Sequence, residues 1–599
     1  MTSPTSAGDR PEIRVILYAI ALIFPPLLAY NRTPSATQLN ELLCVFGWGM
    51  CLLAASRMSP AGGRRRATGV LTASLAVIGV AIFASWTLGS LPTSLALPPL
   101  LSVICACFVA ALGARVAQGG QQDGLQAFAP FAFGVVGAGV LSAVVAVIQV
   151  YLPQLADGNL IAQSGLPGRA VGNLRQPNHL ASLLVWSVIA LVPLVEWRRI
   201  PRWLGTLLGL FLMIAVVLSG SRTGLYGGAL VLVGWGVLDA RLSRGTRIGL
   251  VATLAFPLAI FAWGWLGTHT HFMPHAVGAA TRANDGDSSH FAIWANALEM
   301  VRQQPWRGVG WGEFNFAWTL TAFPHRPTAF FDHTHDLPLQ FVVELGIPLA
   351  LVVLGLMVWA LVQGLLRALS VQGEAGHGAR AAWVMIVMIA IHSLDEYPLW
   401  YLYFLLPAAW AWGFTLGSGP APRLSGERST SGGVVDPAGY TGKLVRLGSE
   451  GAALRWFGGA MMVVALYSTW DYWRVSMIFV DDAGVAPLAE RISVGEGSWL
   501  FAHHADYADA TTTEPPSRAL GALERATHSL LDSRLMMAWA TALAESGQTE
   551  HARYLVARLK EFDKTDTEEF FAPCADATVV VKPFQCQPEP RGLTWRDFR

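Results

Sequence analysis

Uninterrupted apolar runs recur along this chain almost from its first residues, and about 17 to 25 such residues are what a helix needs to cross the hydrocarbon core of a bilayer. Spans are expected near Ile13–Tyr30, Leu39–Ser56, Gly69–Ser90, Leu95–Val116, Phe128–Tyr151, His179–Trp197, Trp203–Ser219, Thr223–Ala240, Ile248–Thr268, Leu337–Leu366, Ala381–Leu394, Leu399–Leu416 and Trp456–Phe479, about thirteen in all. Lipid satisfies no backbone polar group, so these runs must be helices. The expected fold class is therefore all-α, a polytopic integral membrane protein. Composition agrees: 53% of the 599 residues are hydrophobic, only 14% are charged, and mean hydropathy is +0.44, too apolar for a soluble chain of this length. A formal charge of +1 leaves no domain-wide basic surface and excludes nucleic acid as the main partner. Ile13–Tyr30 lacks a basic run before it and a small-residue cleavage site after it, so it is expected to be a retained span.

Arginine placement gives the expected orientation. The segments Arg57–Gly69, Arg198–Arg202, Arg241–Arg247, Arg367–Arg380 and Arg423–Arg455 fall on one side when the spans alternate, and that side is the cytoplasm by the positive-inside rule. The opposite side holds Leu152–Asn178, Ser219–Arg222, Thr268–Asp336, Asp395–Pro398 and the tail after Phe479. The expected organisation is a membrane domain over 1–418 with an outer loop at 269–336, a cytoplasmic linker at 419–455, a last span at 456–480 and an outer helical tail at 481–599. Within the tail, Ser517–Asp563 reads as two or three helices, and "AWATALAESGQTEHARYLVARL" has the small-residue spacing of a tetratricopeptide-like hairpin. Such a hairpin would pack on the membrane domain or hold a protein acceptor. Cys44, Cys51, Cys105 and Cys107 lie in expected spans as small apolar groups; Cys574 and Cys586 in the tail would be a disulfide in an oxidising compartment, or two separate thiols.

Every unusual polar cluster lies on the outer side. "GRAVGNLRQPNHLAS" brings Arg175, Asn178 and His179 to the start of a span. "LSGSRTGLYGG" leaves no room for a loop, so Arg222 sits near membrane depth, where a charge is costly and seldom incidental. "FFDHTHDLPLQFVVELG" sets Asp336, Gln340 and Glu344 four residues apart, on one face of the helix they begin. That face must look at a cavity or another helix, with His335 at its end. A histidine there suits proton transfer; the helix dipole and the carboxylates of Asp332 and Asp336 act on its ring in opposite directions. The spacing of His333 and His335 also suits a metal ligand pair, but no cysteine or third histidine with ligand spacing stands beside it, and no metal is expected. "IHSLDEYPLWYLYFLLPAAWAWG" puts His392, Asp395, Glu396 and Tyr397 at a proline turn before an aromatic belt. The long outer loop carries an amphipathic stretch, His290–Gln304, then "PWRGVGWGEFNFAW", whose glycines lack the strand and helix context of a phosphate-binding loop.

Arginines suited to phosphate oxygens, a histidine with carboxylates suited to proton transfer, and no ATP motif or nucleophilic serine elbow together imply a substrate that arrives already activated. A lipid diphosphate carrying a sugar satisfies these constraints. "GNLRQPNHLAS", "SGSRTG", "PWRGVGWGEFNFAW", "HTHDLPLQFVVELG" and "HSLDEYPLWYLYFLLP", in this order and on one side of the membrane, resemble the superfamily of bacterial O-antigen ligases (WaaL), O-antigen polymerases (Wzy) and PglL-type protein O-oligosaccharyltransferases. The resemblance covers Gly168 to about Gly417.

It implies a GT-C-like, metal-independent glycosyltransferase without a cofactor, acting on undecaprenyl-diphosphate-linked glycans at the periplasmic face of the inner membrane. By the resemblance, His335, with Asp336 beside it, matches the base for the acceptor hydroxyl, and Arg222 matches an arginine at the diphosphate, with Arg175 as a second cationic contact. His290 stands four residues before Trp294, where the family often has arginine; Arg282 or Arg302 would be its substitutes. Asn178, His179, Gln340, Glu344, His392, Asp395, Glu396 and Tyr397 are the expected supporting polar groups. The "HSLDEYPLWY" motif and the tail look most like the PglL branch, whose acceptor is a pilin or other exported protein. A lipid A-core acceptor, a growing glycan, or the different activity of a flippase are the alternatives, although no internal duplication of broken helices supports the last.

Overall fold

A computed structural model describes residues 11–55, 67–123, 127–260, 262, 289–419, 437–482, 484–578 and 580–599. The basic run at 57–66, the end of the ninth expected span (residues 261 and 263–268), Arg282, and residues 420–436 of the expected linker lie outside them. Among the described residues all regular secondary structure is helical, with no strand.

The helices are α1 (Pro11–Leu27), α2 (Gln38–Ala55), α3 (Gly69–Thr87), α4 (Thr93–Asp123), α5 (Ala129–Tyr151), α6 (Pro177–Glu196), α7 (Arg202–Ser219), α8 (Gly228–Leu238), α9 (Arg244–Ala252), α10 (Ser289–Gln303), α11 (Phe314–Leu320), α12 (Leu337–Ser370), α13 (Gly373–His392), α14 (Leu402–Gly417) and α15 (Pro437–Ser476). They continue as α16 (Leu488–Glu496), α17 (Ala502–Thr512), α18 (Leu520–Ala526), α19 (Ser533–Glu545), α20 (Thr549–Lys560) and α21 (Glu568–Ala575). Seven, α3 to α7 with α12 and α13, are long and apolar enough to cross a membrane, and four shorter apolar helices cover Ile13–Leu27, Gln38–Ala54, Thr223–Leu238 and Leu402–Gly417. These eleven account for all the expected spans except the ninth and the last. The last overlaps α15, which begins at Pro437, well before Trp456, and ends at Ser476.

The chain forms two compact units. The first takes in residues 1–73, 104–286 and 356–467. Its centre is α6, buried along most of its length, with Trp186 donating its indole N–H to the Met385 carbonyl of α13 at 2.9 Å. Helices α4 and α14 approach backbone to backbone: a Cβ on Gly113 would come within 2.1 Å of the Trp410 oxygen, and one on Gly413 within 1.8 Å of the Ala110 oxygen. Small residues permit this packing where no hydrophobic driving force exists between helices in lipid.

The second unit takes in residues 74–103, 287–355 and 468–599, and so combines the described part of the long loop before α12 with the tail. Ile293 and Ala297 of α10, Phe316 and Trp318 of α11, and Leu535 and Leu555 of α19 and α20 share one hydrophobic core, each fully buried. The tail hairpin turns at Gly547, whose φ of 81° is the left-handed conformation that glycine adopts freely. A single helical hairpin cannot bury both its faces, and here the loop helices cover the apolar one. Cys574 and Cys586 are disulfide-bonded.

Candidate active site

The backbone turns sharply at His335, which sits at φ 56°, a region that residues other than glycine seldom enter. The residues around it are tied down on both sides. Asp336 accepts the Leu339 N–H at 2.7 Å and so caps the start of α12, satisfying one of the amide groups a helix N-terminus leaves open. Thr334 donates its hydroxyl to the Asp336 carbonyl at 2.8 Å and its N–H to the Gln340 side chain at 2.8 Å. The indole of Trp294 donates to the Thr334 carbonyl at 2.9 Å. His290, one turn earlier on α10, brings its ring within 5.0 Å of the His335 ring. His335 remains half-buried. Burial pushes the Asp336 carboxyl above its ordinary range. Burial acts upward on Asp332 as well, although its side chain is 47% exposed, and the charge and hydrogen bond of His333, with the charge of His335, outweigh it and hold Asp332 at about 2.

The stripe Asp336–Gln340–Glu344 lies along one face as its period requires, and what that face meets is backbone. Gln340 donates to Glu344 at 3.0 Å, and Glu344 also accepts the Gly312 N–H at 3.1 Å. At Gly346, with φ 75° and ψ 162°, α12 breaks its helical geometry. The carbonyls of Val343 and Glu344 accept N–H groups from Val309 and Gly310, both at 2.9 Å. A Cβ on Gly308 would stand 2.4 Å from the Glu344 oxygen, and one on Gly346 would stand 2.5 Å from the Trp306 oxygen. The glycine-rich "PWRGVGWG" is therefore a backbone docking strip for a broken helix.

In the first unit a second polar cluster forms where α6, α7, α13 and α14 end. Asn178 donates to Glu396 at 2.9 Å and accepts the Ser221 hydroxyl at 2.7 Å. The Thr223 hydroxyl donates to Asp395. Arg222 lies between these two anchors, exposed, at the start of a wide helical turn over Thr223–Gly227; turns of this kind recur at functional sites. His179 hydrogen-bonds Tyr403 at 2.9 Å, and His392 hydrogen-bonds Ser182 at 2.8 Å, both histidines being buried. Tyr397 stacks on Tyr401, with ring centroids 6.1 Å apart.

Arg175 is left-handed too, at φ 57°, and its guanidinium donates to the carbonyls of Ala29 and Ala36 and to Asn31. Those bonds make it a clasp on the α1–α2 connection. Arg302 is exposed and pairs with Glu299 at 3.3 Å. Two further residues carry no mark in the sequence. Arg169 is buried and donates to the Ser219 carbonyl at 3.0 Å, bracing the hinge that carries Arg222, yet its position in "GRAVGN" resembles any loop arginine. Glu313 lies 2.8 Å from His528 in the tail, a contact between residues too far apart in sequence for any spacing to announce.

Residues 207–354 match the family described as O-antigen ligase. Residues 380–568 match one described as virulence factor membrane-bound polymerase, C-terminal, and residues 170–194 one described as protein glycosylation ligase. The chain is thus a membrane-type helical protein similar, over separate stretches, to the families of O-antigen ligases, membrane-bound polymerases and protein glycosylation ligases. Two relatives are O-oligosaccharyltransferases. A general O-oligosaccharyltransferase of Acinetobacter baylyi is 25% identical over 258 residues, 42% of this chain and 43% of that protein. A ComP-specific O-oligosaccharyltransferase of the same organism is 23% identical over 262 residues, 44% and 46% of the two chains. The chain thus matches less than half the length of either relative.

Proposed function

We propose that the protein is an O-oligosaccharyltransferase of the bacterial inner membrane. It moves a glycan en bloc from undecaprenyl diphosphate to serine or threonine hydroxyls of pilin-like or other periplasmic proteins, with its site and tail facing the periplasm. The observation that carries this reading is His335: a half-buried imidazole held in a left-handed turn by Trp294, Thr334 and Asp336, within the stretch that matches the O-antigen ligase family.

In the proposed reaction His335 takes the proton of the acceptor hydroxyl as its oxygen bonds to the anomeric carbon of the donor sugar. The bond from that carbon to the diphosphate oxygen breaks, and undecaprenyl diphosphate leaves with the electron pair. Arg222 stabilises the charge developing on the leaving diphosphate, where a fixed cation is worth most. Asn178, Ser221, Thr223 and Asp395 hold the turn from which it extends. Asp336 acts by fixing the helix start. Arg175 supports the fold nearby, and His290 flanks the base. The transfer is metal-independent in this reading, so chelators leave it unchanged.

The O-antigen ligase description of the match over 207–354 favours one other acceptor, the lipid A-core. The test is a transfer assay with purified protein, undecaprenyl-diphosphate glycan and two competing acceptors, a pilin-like protein and a lipid A-core. Glycan on the protein is expected. Glycan on the lipid alone would make it a ligase, and longer lipid-linked chains with neither acceptor modified would make it a polymerase.

A further inference from the structure

The left-handed backbone of His335, at φ 56°, is strained for an L-residue and persists only where its surroundings over-determine it. On its C-terminal side His335 is restrained by the helix it precedes. On its N-terminal side the restraint reaches into the tail. Asn315, 3% exposed, donates its Nδ2 to the Phe331 carbonyl at 2.8 Å and accepts the Leu531 N–H of the tail at 2.8 Å. Phe330 stacks on Phe562 of the tail, with centroids 4.0 Å apart and planes at 19°. Phe331 then meets the His335 ring edge-on at 5.6 Å. Within the core that loop and tail share, a buried amide and an aromatic stack thus link the tail directly to the residues that present His335.

We infer that Asn315 and Phe562 are positioning residues for the transfer reaction, and that the tail sets the geometry of His335 and so governs turnover with every acceptor. This rests on His335 being the base. Loosening the anchor lets the turn relax toward ordinary backbone conformations, and a displacement of about 1 Å at a reacting group costs on the order of 100-fold in rate.

The test uses the full-length protein with undecaprenyl-diphosphate glycan and two acceptors, a folded pilin-like protein and a short serine peptide. Asn315→Asp keeps an acceptor for the Leu531 N–H but removes the donor to the Phe331 carbonyl; Phe562→Ala removes the stack, and Phe562→Leu restores much of its volume. The expected result is a kcat reduced about 10-fold or more with both acceptors and a KM within about 2-fold, the pattern of an interaction realised in the transition state. Phe562→Leu should recover most of the loss. A raised KM for the protein acceptor alone, with peptide kinetics unchanged, would overturn the inference and make the tail an acceptor-docking element. Wild-type kinetics in both variants would overturn it as well. Should Phe562→Ala fail to fold, Asn315→Asp decides. His335→Ala is run alongside: if it retains transfer, the base assignment falls, whereas a dead His335→Ala with fully active Asn315 and Phe562 variants removes only the present inference.

Discussion

Trp294 donates its indole N–H to the carbonyl of Thr334 at 2.9 Å, one residue before His335. The amphipathic helix α10 of the long loop is thereby a brace for the turn that carries the proposed base. Trp294→Phe keeps an aromatic ring, though a smaller one, and leaves the carbonyl without its donor, a loss of about 1–3 kcal/mol for a buried group. We expect a lower thermal midpoint and a several-fold drop in transfer, measured on the same purified sample.

His335→Ala should abolish glycan transfer while leaving membrane insertion intact. A general base contributes about 10²–10⁴ in rate, so a residual rate within 10-fold of wild type at matched protein levels would exclude that role. Transfer to a purified acceptor, with expression followed by an epitope tag, provides the comparison.

Arg222 extends from a turn held by Ser221 and Thr223. Arg222→Ala should lower transfer by about 10²–10³, the scale for losing one stabilising donor at a developing charge. Arg222→Lys should recover part of this, because a point charge replaces a planar fork. Asn178→Ala frees one of the two anchors and should give an intermediate loss without changing the net charge.

Gly308 and Gly346 are each required by close backbone approach and by positive φ. Alanine at either adds a left-handed penalty of about 1–2 kcal/mol to a contact that has no soft side chain to yield. Thermal unfolding in detergent should show both variants less stable than wild type, whereas Gly209→Ala, with nothing near its Cβ, should not be destabilised.

The carboxyl of Asp332 titrates at about 2 in the folded protein against 3.8 ordinarily. A depressed pKa contributes stability that is complete above the unfolded value and lost as pH falls through the folded one. The unfolding midpoint should therefore drop between about pH 4 and 2, and Asp332→Asn should make that part of the profile shallower. An unchanged slope would show that the charges of His333 and His335 do not act on this group.

Length and periodicity alone make several features legible in the sequence. Apolar runs mark eleven of the expected spans because a bilayer imposes a minimum length on any helix that crosses it. The four-residue spacing of Asp336, Gln340 and Glu344 puts them on one face because a helix repeats every 3.6 residues. Both are local properties. The partner of that face is not local: Gly312 and the 309–310 backbone come from a preceding loop. Nor does any spacing reveal that Arg175 closes on the carbonyls of Ala29 and Ala36, or that Arg169 braces the hinge at Ser219.

Chemistry, too, is readable as residue types: histidine, arginine and carboxylates at the mouths of membrane helices. The left-handed backbone at His335 is not, since its strain is tolerated only because Trp294, Gln340 and the Asn315–Phe331 contact hold it in place. The tail shows the same division. Its helices follow from their own apolar periodicity, but the surface they cover is chosen by Trp318, Phe330 and Asn315, far upstream in the chain. Sequence alone determined the elements and the chemical groups, because those depend on neighbours a few residues away; only the tertiary structure decided which groups meet, because burial and hydrogen bonding act between residues that the chain separates by hundreds.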